Sequence, residues 1–427
     1  MRVLLFAFAT LLFISSCSPI SKRALTKTFK QTESKFQDHN GFVLYDLQKK
    51  ETVFSFNSEK YFTPASNTKI FTLYASLNII GDSIPGLRYV QNMDSLIFWG
   101  TGDPTFLYKN TFTNDRIYSF LASTKQNLYF SSHNFNTDAF GSGWAWDDYN
   151  SEYSAERFSF PVYGNIFSVK TQGNKINITP SFFSTYLHMG ESREKPEVFR
   201  SVGSNNFEYF PAAKSSEWDI PFKIDPVFIS DLLSDTLKRK VQHVLNPIRT
   251  ESKTIYSLPA DSVYKVMMQE SDNMLAEQLL LICAGILSDT LQPEIAIDYV
   301  QKNFLNDLTD KPVWVDGSGL SRYNLFTPRS IVQLWNKIYQ LVPRERLFSL
   351  LATGGMNGTV KNWYKADKPY IFGKTGTLSN NHCMSGYLVT KSGKTLIFSF
   401  MNSNYTTTTS AIRKNMQEIL NMIYEKY

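Results

Sequence analysis

Ser66 and Lys69 stand three residues apart in the run Ala65-Ser66-Asn67-Thr68-Lys69. On a helix that spacing puts both on one face, so hydroxyl and amine can meet at hydrogen-bonding distance. A serine hydroxyl is a weak nucleophile until a neighbouring base takes its proton, and a lysine becomes such a base when burial and nearby cations lower its pKa. Two further motifs follow in order, Ser271-Asp272-Asn273 and Lys374-Thr375-Gly376. Ser271 could relay a proton toward a leaving amine, and the Asn273 amide could hold Lys69 and a substrate carbonyl. Lys374, with Thr375 or Thr377, would offer positive charge and hydroxyls to a substrate carboxylate. Gly376 would keep the strand edge clear for a substrate backbone lying against it as an added strand. The backbone N–H groups of Ser66 and Thr377 would form an oxyanion hole.

Single matches carry little weight, because Ser192/Lys195 and Ser262/Lys265 repeat the first spacing and Ser55/Asn57, Ser132/Asn134, Ser204/Asn206 and Ser379/Asn381 repeat the second. Context separates the true set. Ser66 opens an apolar segment running to Ile80, with Pro64 tolerated in its first turn, so it reads as a buried helix. Ser271-Asp272-Asn273 interrupts a helical region expected over Lys253–Leu287, and Lys374 lies on the strand Tyr370–Thr377. With Ser385–Thr390 and Thr395–Met401 that strand reads as an antiparallel meander, closed by a helix whose Ile412, Met416, Ile419, Leu420 and Ile423 recur at helical spacing. Gly41–Leu47 and Thr52–Phe56 read as a hairpin. Residues 100–252, rich in Phe, Tyr, Asn and Ser, read as a β-rich insertion that divides the main domain into 38–99 and 253–427.

The chain has 427 residues, 42% hydrophobic and 19% charged, which fits a folded protein of two domains or of one domain with a large insertion. Its formal charge of +6 is not gathered into a long basic run, so no nucleic-acid partner is expected. Aromatics make up 15%, and composition alone does not separate core filling from stacking surfaces. Arg2 precedes an apolar run, Val3 to Ile14, suited to a secretory signal over residues 1–16. Ile14-Ser15-Ser16-Cys17 resembles a bacterial lipoprotein cleavage box, making Cys17 the expected lipid-bearing residue and residues 17–37 a polar linker. Cys283 and Cys383 could pair or remain separate buried thiols. The five histidines form no ligand pattern, so no metal and no cofactor are expected, and His382 near the third motif reads as structural.

The three motifs together are the signature of class A β-lactamases and penicillin-binding proteins. Beyond them, Gly100–Thr105, Gly143-Trp144-Ala145-Trp146-Asp147-Asp148 with Tyr153-Ser154-Ala155, Asp316–Arg322 and Gly355–Thr359 make the chain resemble the class C, low-molecular-mass penicillin-binding proteins of the DacB or peptidase S13 type. The resemblance implies an α+β fold in which a β-lactamase/transpeptidase-like domain, an antiparallel five-stranded sheet flanked by helices, carries a β-rich inserted domain. It implies D-alanyl-D-alanine carboxypeptidase and endopeptidase activity on peptidoglycan peptides through a Ser66 acyl-enzyme, with β-lactams as inhibitors. It implies a cell-envelope location; the lipid anchor expected at Cys17 would hold the protein to a membrane, and Ser18, in place of the acidic residue associated with inner-membrane retention in some bacteria, favours the outer one facing the periplasm. Asp148, Tyr153 and Arg322 match residues that contact the distal groups of a diaminopimelate side chain; the competing structural readings are a turn or cap residue, a core aromatic and a solvated loop cation. Where family members often carry glutamine after the third motif, this chain has Ser379. Two rival readings are a β-lactamase, which lacks a recognisable short-interval glutamate loop here, and a catalytically silent wall-binding lipoprotein.

Overall fold

The structure, a computed structural model, describes residues 21–108, 111–172, 175–212 and 214–427. The signal segment and Cys17 lie outside the described residues.

The main sheet is antiparallel and runs, edge to edge, Ala352–Thr353, Ile371–Leu378, Asn381–Val389, Thr395–Ser403, His39–Asp46 and Glu51–Phe56. The expected five strands are all present. A two-residue strand, Ala352–Thr353, adds a sixth at the edge, pairing only with Gly373 and Phe372. The N-terminal hairpin joins the C-terminal meander through pairs such as Phe42 with Phe400 and Leu44 with Phe398. Side chains alternate across the sheet. Phe42, Leu44, Phe398 and Phe400 pack beneath the closing helix Thr409–Lys426 and the N-terminal helix Lys22–Phe36. Val43, Ile397 and Met401 face the opposite layer, formed by the helices Lys69–Ile79, Asn273–Ser288 and Pro328–Leu341.

Two expectations are corrected here. Residues 22–36 are a helix and not a linker: Leu25, Phe29 and Thr32 form one buried stripe, and Phe29 contacts the rings of Phe42, Phe54, Phe56 and Phe400. The stripe is so narrow amid five Lys and Arg residues that the segment reads as polar. Lys253–Pro259, expected to be helical, is a strand paired with Ser83–Gln91, a partner some 170 residues away in the chain that local periodicity does not reveal. Helices follow only at Ala260–Gln269 and Asn273–Ser288.

That pairing also enlarges the inserted region. Its five-stranded sheet runs Val241–Val244, Asn127–Ser131, Ser95–Gly100, Ser83–Gln91, Lys253–Pro259, so it starts before residue 100 and ends after residue 252. Two three-stranded sheets complete it. Its separate core is built from Phe98, Phe130, Phe158, Phe160, Phe167 and Phe183, so much of the aromatic content fills this core. Cys283 and Cys383 are buried free thiols. Among the described residues no helix is long and apolar enough to cross a membrane.

Candidate active site

Ser66 sits in a tight turn, Ala65–Thr68, that leads directly into the helix Lys69–Ile79. Ala65 has φ +48°, a left-handed conformation uncommon for a residue with a Cβ. Two glycines hold the turn closely. A Cβ on Gly376 would lie 2.6 Å from the Pro64 carbonyl oxygen and 2.8 Å from the Ser66 nitrogen, and one on Gly319 would run into the Ala65 carbonyl. Gly376 therefore lets its strand press against the Ser66 turn, which differs from the expected role of clearing the strand's outer edge. The edge is open for another reason: beyond Gly373, the short strand Ala352–Thr353 stops, and among the described residues no further strand pairs with residues 374–378 on that side.

Lys69 and Lys374 are both fully buried. Lys69 Nζ lies 2.9 Å from Ser66 Oγ, 2.6 Å from Asn273 Oδ1 and 2.6 Å from the Ser318 carbonyl oxygen. The Asn273 amide is oriented because its Nδ2 donates to the Tyr153 carbonyl at 2.8 Å, leaving Oδ1 toward Lys69. Burial lowers the Lys69 pKa to about 8, against the opposing charges of Asp316, Glu277 and Asp272. Lys374 Nζ donates to Ser271 Oγ at 2.7 Å and to the Thr375 carbonyl at 2.8 Å. Burial, and then the charge of Lys69, hold its pKa well below the usual lysine range.

Ser271 has φ +65°. Asp272 next to it caps the following helix by accepting from Leu275 N at 2.9 Å, and the Tyr108 hydroxyl donates to its other oxygen at 2.9 Å. Of the two threonines on the Lys374 strand, Thr375 is buried with its hydroxyl 2.6 Å from that of Thr359, so it does not reach the cleft. Thr377 is exposed at the cleft, its hydroxyl 2.8 Å from His382 Nδ1. Burial drives the His382 pKa down to about 3, so this histidine is neutral and acts as a prop.

A cleft of about 530 Å³ opens over these groups, with Ser66, Ser271, Asn273 and Thr377 in its floor. Asp148, Tyr153 and Arg322 line the same cleft from its rim, as does Ser379. Tyr153 is 44% exposed and so is no core aromatic; its hydroxyl donates to Asp148 Oδ1 at 2.7 Å. Arg322 is exposed and tied to the insertion through its backbone, its N–H donating to Gly143 O at 3.2 Å. Ser66, Ser271, Asn273, Thr377, Asp148, Tyr153 and Arg322 thus converge on the cleft, and Lys69, Lys374, Thr375 and Gly376 lie behind its surface.

The family model described as "D-Ala-D-Ala carboxypeptidase 3 (S13) family" matches residues 22–195 and 236–423. The chain belongs to this S13 family. The D-alanyl-D-alanine carboxypeptidase DacB of Haemophilus influenzae is 22% identical over 422 residues, 86% of this chain and 86% of that protein. The crystal structure of penicillin-binding protein 4 (dacB) from Haemophilus influenzae shares the fold with TM-score 0.77 and 18% identity, covering 93% of this chain and 99% of that one. The same protein complexed with a novel β-lactam matches at TM-score 0.71 and 17% identity, over 96% of this chain and 100% of that one. The resemblance read from the motifs to the DacB/S13 type therefore holds. The unmatched residues 196–235 of this S13 chain fall within the inserted region.

Several site residues of this S13 chain escape a motif search. Asn67, inside the first motif, is buried with Nδ2 3.3 Å from the Lys374 carbonyl and Oδ1 2.5 Å from Ser385 Oγ. Ser318 offers only its backbone carbonyl, which side-chain patterns do not register. Glu277 had a visible signal: it is the one acid in the largely apolar helix Asn273–Ser288, four residues after Asn273. Among the described residues no group of His, Cys, Asp and Glu is placed to hold a metal ion.

Proposed function

We propose that this chain is a serine-type D-alanyl-D-alanine carboxypeptidase and endopeptidase that works on peptidoglycan stem peptides and cross-links through a Ser66 acyl-enzyme. One observation carries the reading. Two of the three polar neighbours of Lys69, Asn273 Oδ1 and the Ser318 carbonyl, can only accept hydrogen bonds. A neutral amine has two N–H bonds and one lone pair. Donating both N–H bonds to those acceptors leaves the lone pair facing the Ser66 hydroxyl, which then surrenders its proton.

Ser66 Oγ attacks the carbonyl of the bond between the two terminal D-alanines. The N–H groups of Ser66 and Thr377 stabilise the oxyanion that develops. Ser271, polarised by Lys374 2.7 Å away, passes a proton to the leaving amine, and water later releases the acyl group. Lys374 and the Thr377 hydroxyl attract the terminal carboxylate, and the open edge beyond Gly373 takes the substrate backbone as a further strand. Asp148, Tyr153 and Arg322 hold the charged end of a third-residue side chain. The β-lactam held by the related Haemophilus protein supports penicillin acting as a substrate mimic that acylates Ser66. Lipidation at Cys17 would place the enzyme at the envelope, on the outer membrane facing the periplasm.

A pentapeptide ending in D-Ala-D-Ala and a cross-linked muropeptide dimer test the reading in parallel. D-alanine release and dimer cleavage are expected from wild type and not from Ser66→Ala. Release by neither protein, both folded, would favour a silent wall-binding role.

A further inference from the structure

Beneath Lys69 lies a buried ionic cluster whose Glu277 and Arg157 belong to none of the motifs. Glu277 is 1% exposed, one helical turn below Asn273, and its Oε1 accepts from Ser318 N at 2.7 Å. The carbonyl of that same Ser318 takes an N–H of Lys69. The other Glu277 oxygen lies 3.3 Å from Arg157 Nη1, and Arg157 comes from the inserted region, where it also donates to the Asp138 and Phe140 carbonyls at 2.9 and 3.2 Å. Asp316 fixes the other end of the loop by accepting from Gly319 N, Ser321 N and Asn324 Nδ2. It also accepts from Trp144 Nε1 at 3.0 Å, so the rim segment is tied to the same loop.

Resting on the acyl-enzyme reading above, we propose that Glu277 is a positioning residue for the acylation step, holding Ser318 so that the lone pair of Lys69 points at Ser66 and setting by its charge how readily Lys69 gives up its proton. Arg157 links this device to the insertion that forms the rim. Isolated buried carboxylates are expensive, and a glutamate whose only task was packing would be better replaced by an apolar side chain. The charged groups that bear on Lys69 are Glu277 and Asp272 from the helix and its cap, Asp316 from the loop and Lys374 from the strand. Glu277 itself faces Asp316 and Arg157; burial and then the charge of Asp316 push its carboxyl above the usual carboxylate range, and the Arg157 guanidinium opposes them.

Reach and charge separate in two variants, read by the pH dependence of acylation with a chromogenic cephalosporin and by thermal unfolding. Glu277→Gln keeps the acceptor for Ser318 but removes a charge that raises the Lys69 pKa. Its acid limb is expected to move to lower pH by about half a unit or more, with the high-pH plateau within about threefold of wild type. Glu277→Asp keeps the charge but withdraws it from Ser318, so the limb should stay and the plateau fall about tenfold. The proposal is overturned if both folded variants keep the wild-type limb and plateau, or if both merely unfold earlier while the folded protein acylates normally. Should Glu277→Gln not fold, the plateau of Glu277→Asp decides. Failure of wild type to acylate would overturn the acyl-enzyme reading and this inference together.

Discussion

Lys69 and Lys374, just beneath the floor of the cleft, are fully buried, and each is held by two or three short hydrogen bonds to groups fixed by the fold. Arg322 and Tyr153, at the rim, are exposed, and what fixes them is largely backbone contact. Burial at the floor costs desolvation energy and in return lowers the pKa of both lysines, that of Lys69 to about 8, which brings the free amine a general base requires within reach of mildly alkaline pH. At the rim a charge stays fully solvated until a ligand arrives, so it can select but contributes little to the chemical step. One carbonyl joins the two regions: Tyr153 O, on the insertion, receives the Asn273 amide that orients toward Lys69.

The sharpest way to break the comparison is at the floor. Lys69→Met keeps the length and removes the amine, and it should slow penicillin acylation by about 10²- to 10⁴-fold in stopped-flow or gel assays. In wild type the acylation rate should climb as pH rises through about 8, because protonated Lys69 is no base. A rate flat from pH 6 to pH 9, on the order of the span a lysine of that pKa must affect, would remove Lys69 from the role. Gly376→Ala comes next. Its new methyl meets backbone atoms on the Ser66 turn, so a loss of about 1–3 kcal/mol in stability and at least a ~10-fold slower acylation are expected from denaturant unfolding and kinetics. The smallest effect belongs to the rim: Asp148→Asn or Arg322→Gln should lower kcat/KM for a diaminopimelate-containing peptide about tenfold while a small penicillin reacts within about threefold of wild type. Equal losses on both substrates would erase the distinction between floor and rim.

The same division governs what could be read from the amino-acid sequence. Ser66, Lys69, Ser271, Asn273 and Lys374 announce themselves because the proposed acyl-enzyme chemistry needs specific side chains at fixed spacing on recognisable elements. The meander and closing helix were legible for the same reason, since Ile412, Met416, Ile419, Leu420 and Ile423 repeat at helical period and are all buried. What escaped depends on contacts distant in sequence or on backbone atoms. Lys253–Pro259 is a strand because Ser83–Gln91 lies beside it, and the insertion cannot be bounded without that pairing. Thr375 looked equivalent to Thr377 until Thr359 was found against its hydroxyl. Gly376 looked like an open edge, yet the atoms that exclude a side chain there belong to Pro64 and Ser66. Leu25 and Phe29 make a helix of a segment whose composition reads as linker, through aromatic partners on strands at both ends of the chain.

Intact-mass measurement of the folded protein after incubation with a penicillin tests the central claim most directly, with Ser66→Ala alongside. The account predicts one penicilloyl adduct on wild type, mapped to the peptide carrying Ser66, and none on the variant. An adduct that persists in Ser66→Ala, or a folded wild type that gains no mass, would contradict it.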